Sequence, residues 1–148
     1  TSQDVQAIKD GLRDGTIDVI ATDHAPHATQ EKQQEFTEAP FGIVGLETAL
    51  SLTLALVEEG VLTLESAVDK LATAPAKAFS LNAGTLAVGA PADVAIVDPN
   101  LEWEVDPSRF RSKSRNTPFA GWKVKGRVTK TIVSGRVVYE LDRPGRPA

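Results

Sequence analysis

The chain has two histidines, and both lie beside an aspartate in the stretch Thr-Asp-His-Ala-Pro-His at residues 22–27. This stretch follows a predicted strand, and the carboxyl ends of strands in parallel α/β folds are where ligands and catalytic groups gather. The pattern predicts a carboxylate, Asp23, that acts on a metal or a proton. It also predicts an imidazole farther along the loop, His27, that holds the substrate.

The spacing of these two residues limits how they act together. Pro26 prevents a helix, so Asp23 and His27 do not share one helical face. In an extended loop they can lie up to about 13 Å apart. Each also has a simpler interpretation, because an aspartate after a strand is often a turn residue and an isolated histidine is often a surface group. Their clustering at the start of an overlong loop favours the catalytic interpretation.

A metal centre would need more ligands than this chain offers. A catalytic zinc takes three protein ligands, mostly histidine and carboxylate, and a two-metal site takes more. Two histidines and Asp23 cannot supply a two-metal site, and the absence of cysteine excludes thiolate ligands and disulfides. Either there is no such site, or most of its ligands lie elsewhere.

Composition narrows the class of protein. The net charge of −4 over 148 residues, without basic blocks, argues against nucleic acid as the partner. No apolar run approaches the ~20 residues of a membrane span, and the lack of cysteine is compatible with a cytoplasmic protein. The chain has no methionine and begins at Thr1. Either an initiator methionine was removed or, as we expect, the chain is one piece of a longer protein.

The first half of the sequence predicts helices around one strand. A helix over residues 1–15 is followed by a β-branched strand over residues 16–22 and a polar loop over residues 23–44. Further helices are predicted over residues 46–59, 63–72 and from residue 73 to about residue 81. A buried strand needs neighbours on both sides. Residues 1–82 therefore look like the last strand–helix unit of a larger α/β structure, unless the second half supplies those neighbours.

The second half of the sequence is rich in glycine, proline and β-branched residues. Strand-like runs occur at residues 92–97, 102–105, 122–124, 128–133 and 136–139. The dipeptide Ser134-Gly135 between the last two runs is a good signal for a two-residue hairpin turn. Residues 143–148 are expected to form a frayed tail.

Several segments together resemble the dihydroorotases of the amidohydrolase superfamily. They are residues 14–27, which end in Asp-His-Ala-Pro-His, Ala-Pro-Phe-Gly-Ile-Val-Gly-Leu-Glu-Thr at residues 39–48, Gly-Ala-Pro-Ala-Asp-Val-Ala-Ile-Val-Asp at residues 89–98, and Asn-Thr-Pro-Phe at residues 116–119. The resemblance implies a (β/α)₈ TIM barrel with a binuclear Zn²⁺ centre and a flanking β-sandwich. Residues 1–83 would be the C-terminal end of the barrel, and residues 84–142 the C-terminal part of the sandwich.

The resemblance also implies a role for individual residues. Asp23 matches the metal-bound aspartate that serves as general acid and base, and His27 matches the residue that contacts the substrate carboxylate. Phe41 and Gly42 match a substrate-contacting pair, although a loop-anchoring aromatic and a turn glycine are equally good interpretations. His24 matches the motif but no ligand position, so we expect it to be structural. The other metal ligands of the family, including a His-x-His pair, have no counterpart in this chain.

The activity implied is that of the C-terminal segment of a cytoplasmic, zinc-dependent dihydroorotase. It would interconvert N-carbamoyl-L-aspartate and dihydroorotate in de novo pyrimidine biosynthesis, and the segment alone would be inactive. The partners implied are the remaining N-terminal part of the same enzyme, a second copy in a homodimer and aspartate transcarbamoylase. Two alternatives stay open. One is another cyclic amidohydrolase, such as a hydantoinase or allantoinase, and the other is a non-catalytic scaffold that assembles with aspartate transcarbamoylase.

Overall fold

The structure of the protein is a computed structural model that describes residues 1–141. The predicted tail at residues 143–148, and the last residue of the predicted sandwich segment, lie outside the described residues. No helix in residues 1–141 is long and apolar enough to cross a membrane.

The first helix has clear start and stop signals. Helix α1 spans Ser2–Asp14, and the Thr1 side chain accepts a hydrogen bond from the Asp4 N–H in a complete capping box. Gly15 ends the helix in the left-handed conformation, with φ 85°. The prediction for residues 1–15 is confirmed.

The strand predicted over residues 16–22 is not formed, and that prediction is wrong for this chain. Among the described residues the segment has no neighbouring strand to pair with. It is held instead by scattered bonds: the Ile17 N–H donates to the Gly11 carbonyl, and the Ile20 N–H donates to the Lys70 carbonyl. The buried Lys70 ammonium also donates to the Ile17 carbonyl. Up to residue 141, the β-rich half forms its own sheet and does not supply the missing neighbours.

The helices that follow differ from prediction mainly at their ends. The loop contains a four-residue helix α2 at Thr29–Lys32, and α3 spans Ala49–Glu58, three residues shorter at its start than predicted. Helix α4 at Leu64–Val68 begins at the Thr63 cap. A π-helical turn joins it to α5 at Ala74–Ala78, so the two helices predicted here form one continuous element.

The second half forms one antiparallel sheet. Strands β1 (Val94–Glu104), β2 (Lys123–Val133) and β3 (Arg136–Glu140) lie in the order β1-β2-β3. The first four predicted strands merge into β1 and β2, with bulges where the register shifts. Ser134 and Gly135 both have positive φ, 48° and 75°, as a type I′ hairpin turn requires, so the hairpin prediction is confirmed.

Helix α3 packs directly on the sheet. The Ser51 hydroxyl donates to the Gly126 carbonyl at 2.6 Å, and the Trp103 indole N–H lies 3.1 Å from both of these oxygens. Gly126 lets the helix approach, because a Cβ there would lie 2.1 Å from Leu54 Cδ1. The chain is therefore an α/β piece in which the sheet and α3 support each other.

A second contact joins the sheet to the loop after residue 23. Val44 at the end of that loop is 2% exposed and clusters with Val105, just after β1, and with Phe110. This cluster positions the loop that carries the predicted site residues.

Candidate functional site

Two loops run side by side at the predicted site. We call residues 23–27 the first loop, residues 40–45 the second loop, and the two together the loop pair. His24 and Ile43 form an isolated parallel bridge, and the Ala25 N–H donates to the Ile43 carbonyl at 2.9 Å. A parallel bridge is the contact expected between neighbouring extended segments, although neither loop belongs to a sheet in the described residues.

His24 fastens the loop pair together. Its Nδ1 accepts hydrogen bonds from the Gly45 N–H at 3.1 Å and from the Leu46 N–H at 3.5 Å. A nitrogen that accepts carries no proton, so in the neutral ring the proton is on Nε2. These contacts are those of a structural residue, as the sequence predicts for His24.

His27 reaches across to the second loop. Its Nε2 lies 2.9 Å from the Phe41 carbonyl oxygen, and since a carbonyl only accepts, Nε2 carries the proton and donates. Its Nδ1 faces the Glu31 carboxylate at 3.7 Å. The same carboxylate caps α2 by accepting the Ala28 N–H at 2.7 Å.

The structure brings the three predicted substrate-binding residues together. His27 contacts the peptide that joins Phe41 to Gly42. In a trans peptide the carbonyl and the N–H point in opposite directions, so the Gly42 N–H points away from the imidazole. The Phe41 side chain is 91% exposed, which argues against the alternative that it anchors the loop.

Gly42 is required by both conformation and space. Its φ is 103°, in the region that favours glycine, and a Cβ would lie 2.5 Å from the Ala25 Cβ. Gly42 is therefore a glycine required by the backbone conformation, and it also lies within the predicted site.

Asp23 stands at the start of the first loop with an exposed side chain and a left-handed backbone, φ 40°. Such a conformation is uncommon for a residue other than glycine and is concentrated at functional sites. Its carboxylate can serve as one metal ligand. In residues 1–141, however, no group of three or more His, Cys, Asp or Glu is placed to hold a metal ion. The described residues fit one ligand of a metal centre and not a whole centre.

Asn116 is a site residue that the sequence reasoning missed. Its side-chain amide contacts the first loop at Ala25 and His27 and the second loop at Gly42. Lys32 also reaches the second loop, where its ammonium donates to the Pro40 and Gly42 carbonyls at 2.8 and 3.2 Å. The signal available for Asn116 was its place in the Asn-Thr-Pro-Phe segment, which marks a family motif but does not indicate a contact with His27, 89 residues away along the chain.

Comparison with known proteins shows which family the chain belongs to. The model of the amidohydrolase family matches residues 1–138. The chain belongs to the amidohydrolase family. The predicted resemblance to dihydroorotases is confirmed by relatives of that name. The dihydroorotase of Syntrophotalea carbinolica is 59% identical over 142 residues, and that of Geobacter metallireducens is 57% identical over 140 residues.

These relatives are longer than this amidohydrolase chain. The matches cover 96% and 95% of the chain but 33% of each relative, so the chain spans about a third of their length. A similar share applies to a solved structure, the L-hydantoinase (dihydropyrimidinase) of Arthrobacter aurescens. It superposes with a TM-score of 0.83 at 37% identity, over 90% of this chain and 31% of that one. The fold of the chain is thus that of a hydantoinase-like amidohydrolase.

Proposed function

We propose that this chain is the C-terminal segment of a dihydroorotase. The observation that carries the proposal is the 59% identity to a dihydroorotase over nearly the whole chain. The geometry supports it, because His27, Phe41 and Gly42 come together in one loop pair beside Asp23. The complete enzyme would open and close the ring amide of dihydroorotate, with N-carbamoyl-L-aspartate as the open form.

The proposed architecture of the complete enzyme is a (β/α)₈ barrel with a β-sandwich beside it. Residues 1–83 would be the last part of the barrel and residues 84–142 a segment of the sandwich. Two observations support this. Residues 16–22 form no strand and have no strand beside them within residues 1–141, and Val5 and Ile8 on α1 are 57% and 55% exposed. Neighbouring barrel strands and helices would supply both missing contacts.

The proposed chemistry rests on Asp23 as metal ligand and proton carrier. The complete enzyme would hold a binuclear Zn²⁺ centre, and its other ligands would come from outside this chain. When bound, zinc polarises a carbonyl and lowers the pKa of a bound water. The Asp23 carboxylate would accept a proton from the attacking water as its oxygen bonds to the amide carbon. It would then deliver that proton to the ring nitrogen as the carbon–nitrogen bond breaks.

The loop pair would bind the substrate. His27 would face the substrate carboxylate, and Gly42 would offer its N–H, which the His27–Phe41 contact directs away from the imidazole. Phe41 would cover the ring, since its exposed side chain is next to Gly42 and its backbone carbonyl contacts His27. Position in the loop pair, rather than any one contact, supports these three assignments.

The proposed partners follow from the proposed relationship to dihydroorotases. The N-terminal part of the same enzyme would complete the barrel, in the cytoplasm. A second copy, or aspartate transcarbamoylase, would assemble with the completed enzyme.

A hybrid enzyme tests the proposal. In it, this chain replaces the matching third of the Syntrophotalea carbinolica dihydroorotase. We expect the hybrid to hydrolyse dihydroorotate in the presence of zinc, and the isolated chain to have no activity. Asp23→Asn should lower kcat by about 10²–10⁴-fold, the range for loss of a general acid–base group. A hybrid that folds but turns over no dihydroorotate, or an Asp23→Asn variant with normal kcat, would contradict the proposal.

Two other functions are outcomes of the same experiment. The likeness to an L-hydantoinase structure favours a hydantoinase-like enzyme as the second candidate. A folded hybrid that hydrolyses hydantoin in preference to dihydroorotate would establish it. A folded hybrid inactive on both substrates, but able to bind aspartate transcarbamoylase, would establish the non-catalytic scaffold.

A further inference from the structure

We propose that Asn116 is a positioning residue, which fixes the substrate-binding loop pair to the sheet and thereby sets where His27 and Gly42 stand. The inference rests on the proposed function, because it concerns the same site. Asn116 belongs to neither loop. It lies in the segment that leads into β2, seven residues before that strand begins at Lys123.

The amide of Asn116 uses both of its ends on the loop pair. Its Nδ2 donates to the Ala25 carbonyl at 2.9 Å and to the Gly42 carbonyl at 3.3 Å, so one NH₂ group joins the two loops. Its Oδ1 accepts the His27 N–H at 3.4 Å. The backbone contributes as well, since the Asn116 carbonyl accepts the Val44 N–H at 3.1 Å.

The chemistry of these contacts calls for an amide. The two carbonyl oxygens can only accept, and the His27 N–H can only donate. A side chain that meets them must therefore have a donor and an acceptor, which fixes the orientation of the Asn116 amide. An aspartate of the same size would place a carboxylate oxygen against two carbonyl oxygens, and an alanine would leave all three groups without this partner.

The other contacts of the loop pair do not replace Asn116, since the buried Val44 side chain anchors the second loop and not the first. His24 and His27 join one loop to the other but are themselves part of it. Lys32 bonds only the second loop. The segment that carries Asn116 is anchored behind the loops, because Phe119 three residues later packs against the buried cluster of Val105 and Phe110 next to the sheet. It therefore relates the loops to a fixed part of the fold.

The expected consequence concerns substrate binding more than chemistry. Asn116 bonds the backbone of His27 and Gly42, which are proposed to bind substrate, whereas none of its side-chain hydrogen bonds within residues 1–141 reaches Asp23. Displacing the loop pair should weaken binding of dihydroorotate while the acid–base step is largely retained. The KM should rise and kcat should change little.

The test uses three variants of the hybrid enzyme. Asn116→Ala should raise the KM for dihydroorotate about tenfold and change kcat less than about threefold, the effect of losing a few hydrogen bonds of modest strength. Asn116→Asp should raise the KM at least as much, although it preserves the size of the side chain. The matched control, Asn82→Ala at an exposed turn, should leave both constants unchanged.

A double variant separates positioning from a general effect on folding. If Asn116 acts through His27, Asn116→Ala combined with His27→Ala should raise the KM by far less than the product of the two single effects. Effects that multiply fully, or an Asn116→Asp variant with unchanged KM, would overturn the inference. A folded hybrid without dihydroorotase activity would instead overturn the proposed function and this inference with it. An active hybrid with unchanged Asn116 variants would overturn this inference alone.

Discussion

The three-stranded sheet and the loop pair are held together in different ways. The sheet is closed by backbone ladders, β1 with β2 and β2 with β3, which continue over many residues. The loop pair has a single bridge, His24 with Ile43, and one buried anchor, Val44. Its other contacts are mainly hydrogen bonds of the side chains of His24, His27, Lys32 and Asn116. A ladder of backbone hydrogen bonds persists through most single side-chain substitutions, except where the new side chain clashes, as it would at Gly126. A site held by side chains can be altered by one substitution while the fold persists.

The largest expected change in stability comes from a substitution in the sheet. Gly126→Ala should lower the free energy of unfolding of the hybrid enzyme by about 2–4 kcal/mol. Part of this loss comes from placing a Cβ on a left-handed backbone and part from overpacking against Leu54. The backbone has φ 88°, and the added Cβ would meet Leu54 at 2.1 Å. Urea denaturation measures the change. Gly121→Ala is the control, since Gly121 has φ 77° with open space around it, and should show only the smaller backbone effect.

The next effect breaks the loop pair and leaves the sheet intact. Gly42→Ala should lower kcat/KM about tenfold or more. The new Cβ would lie 2.5 Å from the Ala25 Cβ, so Ala25 and the first loop would have to move. The free energy of unfolding should fall less than in Gly126→Ala, since the loops can relax into solvent. Steady-state kinetics and urea denaturation on the same protein provide both values. Equal losses of stability in the two variants would contradict the comparison.

A smaller effect sharpens the description of the helix–sheet contact. Trp103→Phe keeps the ring under the Arg127 guanidinium, 4.8 Å from the ring centroid, but removes the indole N–H bonded to Ser51 and Gly126. The free energy of unfolding should fall by about 1 kcal/mol, the usual net value of one hydrogen bond. Trp122→Phe, at a half-exposed position, should lower the free energy of unfolding by less. The ordering of the two midpoints in urea tests the assignment.

The smallest expected effect is a pH-dependent change in stability from Asp106. Hydrogen bonds from the Ser108 hydroxyl and the Ser108 N–H hold the pKa of Asp106 below its ordinary value of 3.8. A lowered pKa in the folded state stabilises the protein above about pH 4, and this contribution is lost as the pH falls through the folded-state value. Asp106→Asn should therefore lower the thermal midpoint slightly at pH 7, and the difference should shrink toward pH 3. A difference that grows on acidification would reverse the sign of this argument.

The sequence predicted those elements whose determinants are local. Thr1 and Gly15 bound α1, Thr63 begins α4, and Ser134 with Gly135 makes the hairpin turn, and each of these signals acts within a few residues. The strand at residues 16–22 failed because a strand depends on partners that residues 1–141 do not contain. The composition of the segment predicts a strand, and only its need for neighbours indicated that the partners lie elsewhere.

The same distinction applies to the site. Asp23, His27, Phe41 and Gly42 could be found because they fall in two short motifs, and the structure brings the last three together. Their roles in binding and catalysis stay predictions. The role of Asn116 was missed because it arises only when two distant parts of the chain meet, although the segment Asn-Thr-Pro-Phe that contains it contributed to the family resemblance.

The bond between Ser51 and Gly126 has a consequence for the order of folding. It joins residues 75 positions apart, so it can form only after a long loop has closed. During synthesis α3 would leave the ribosome well before β2 exists, with its apolar face still uncovered. Contacts of such long range slow folding and leave intermediates prone to association. Chaperone dependence of the nascent chain should therefore end when β2 emerges and covers α3.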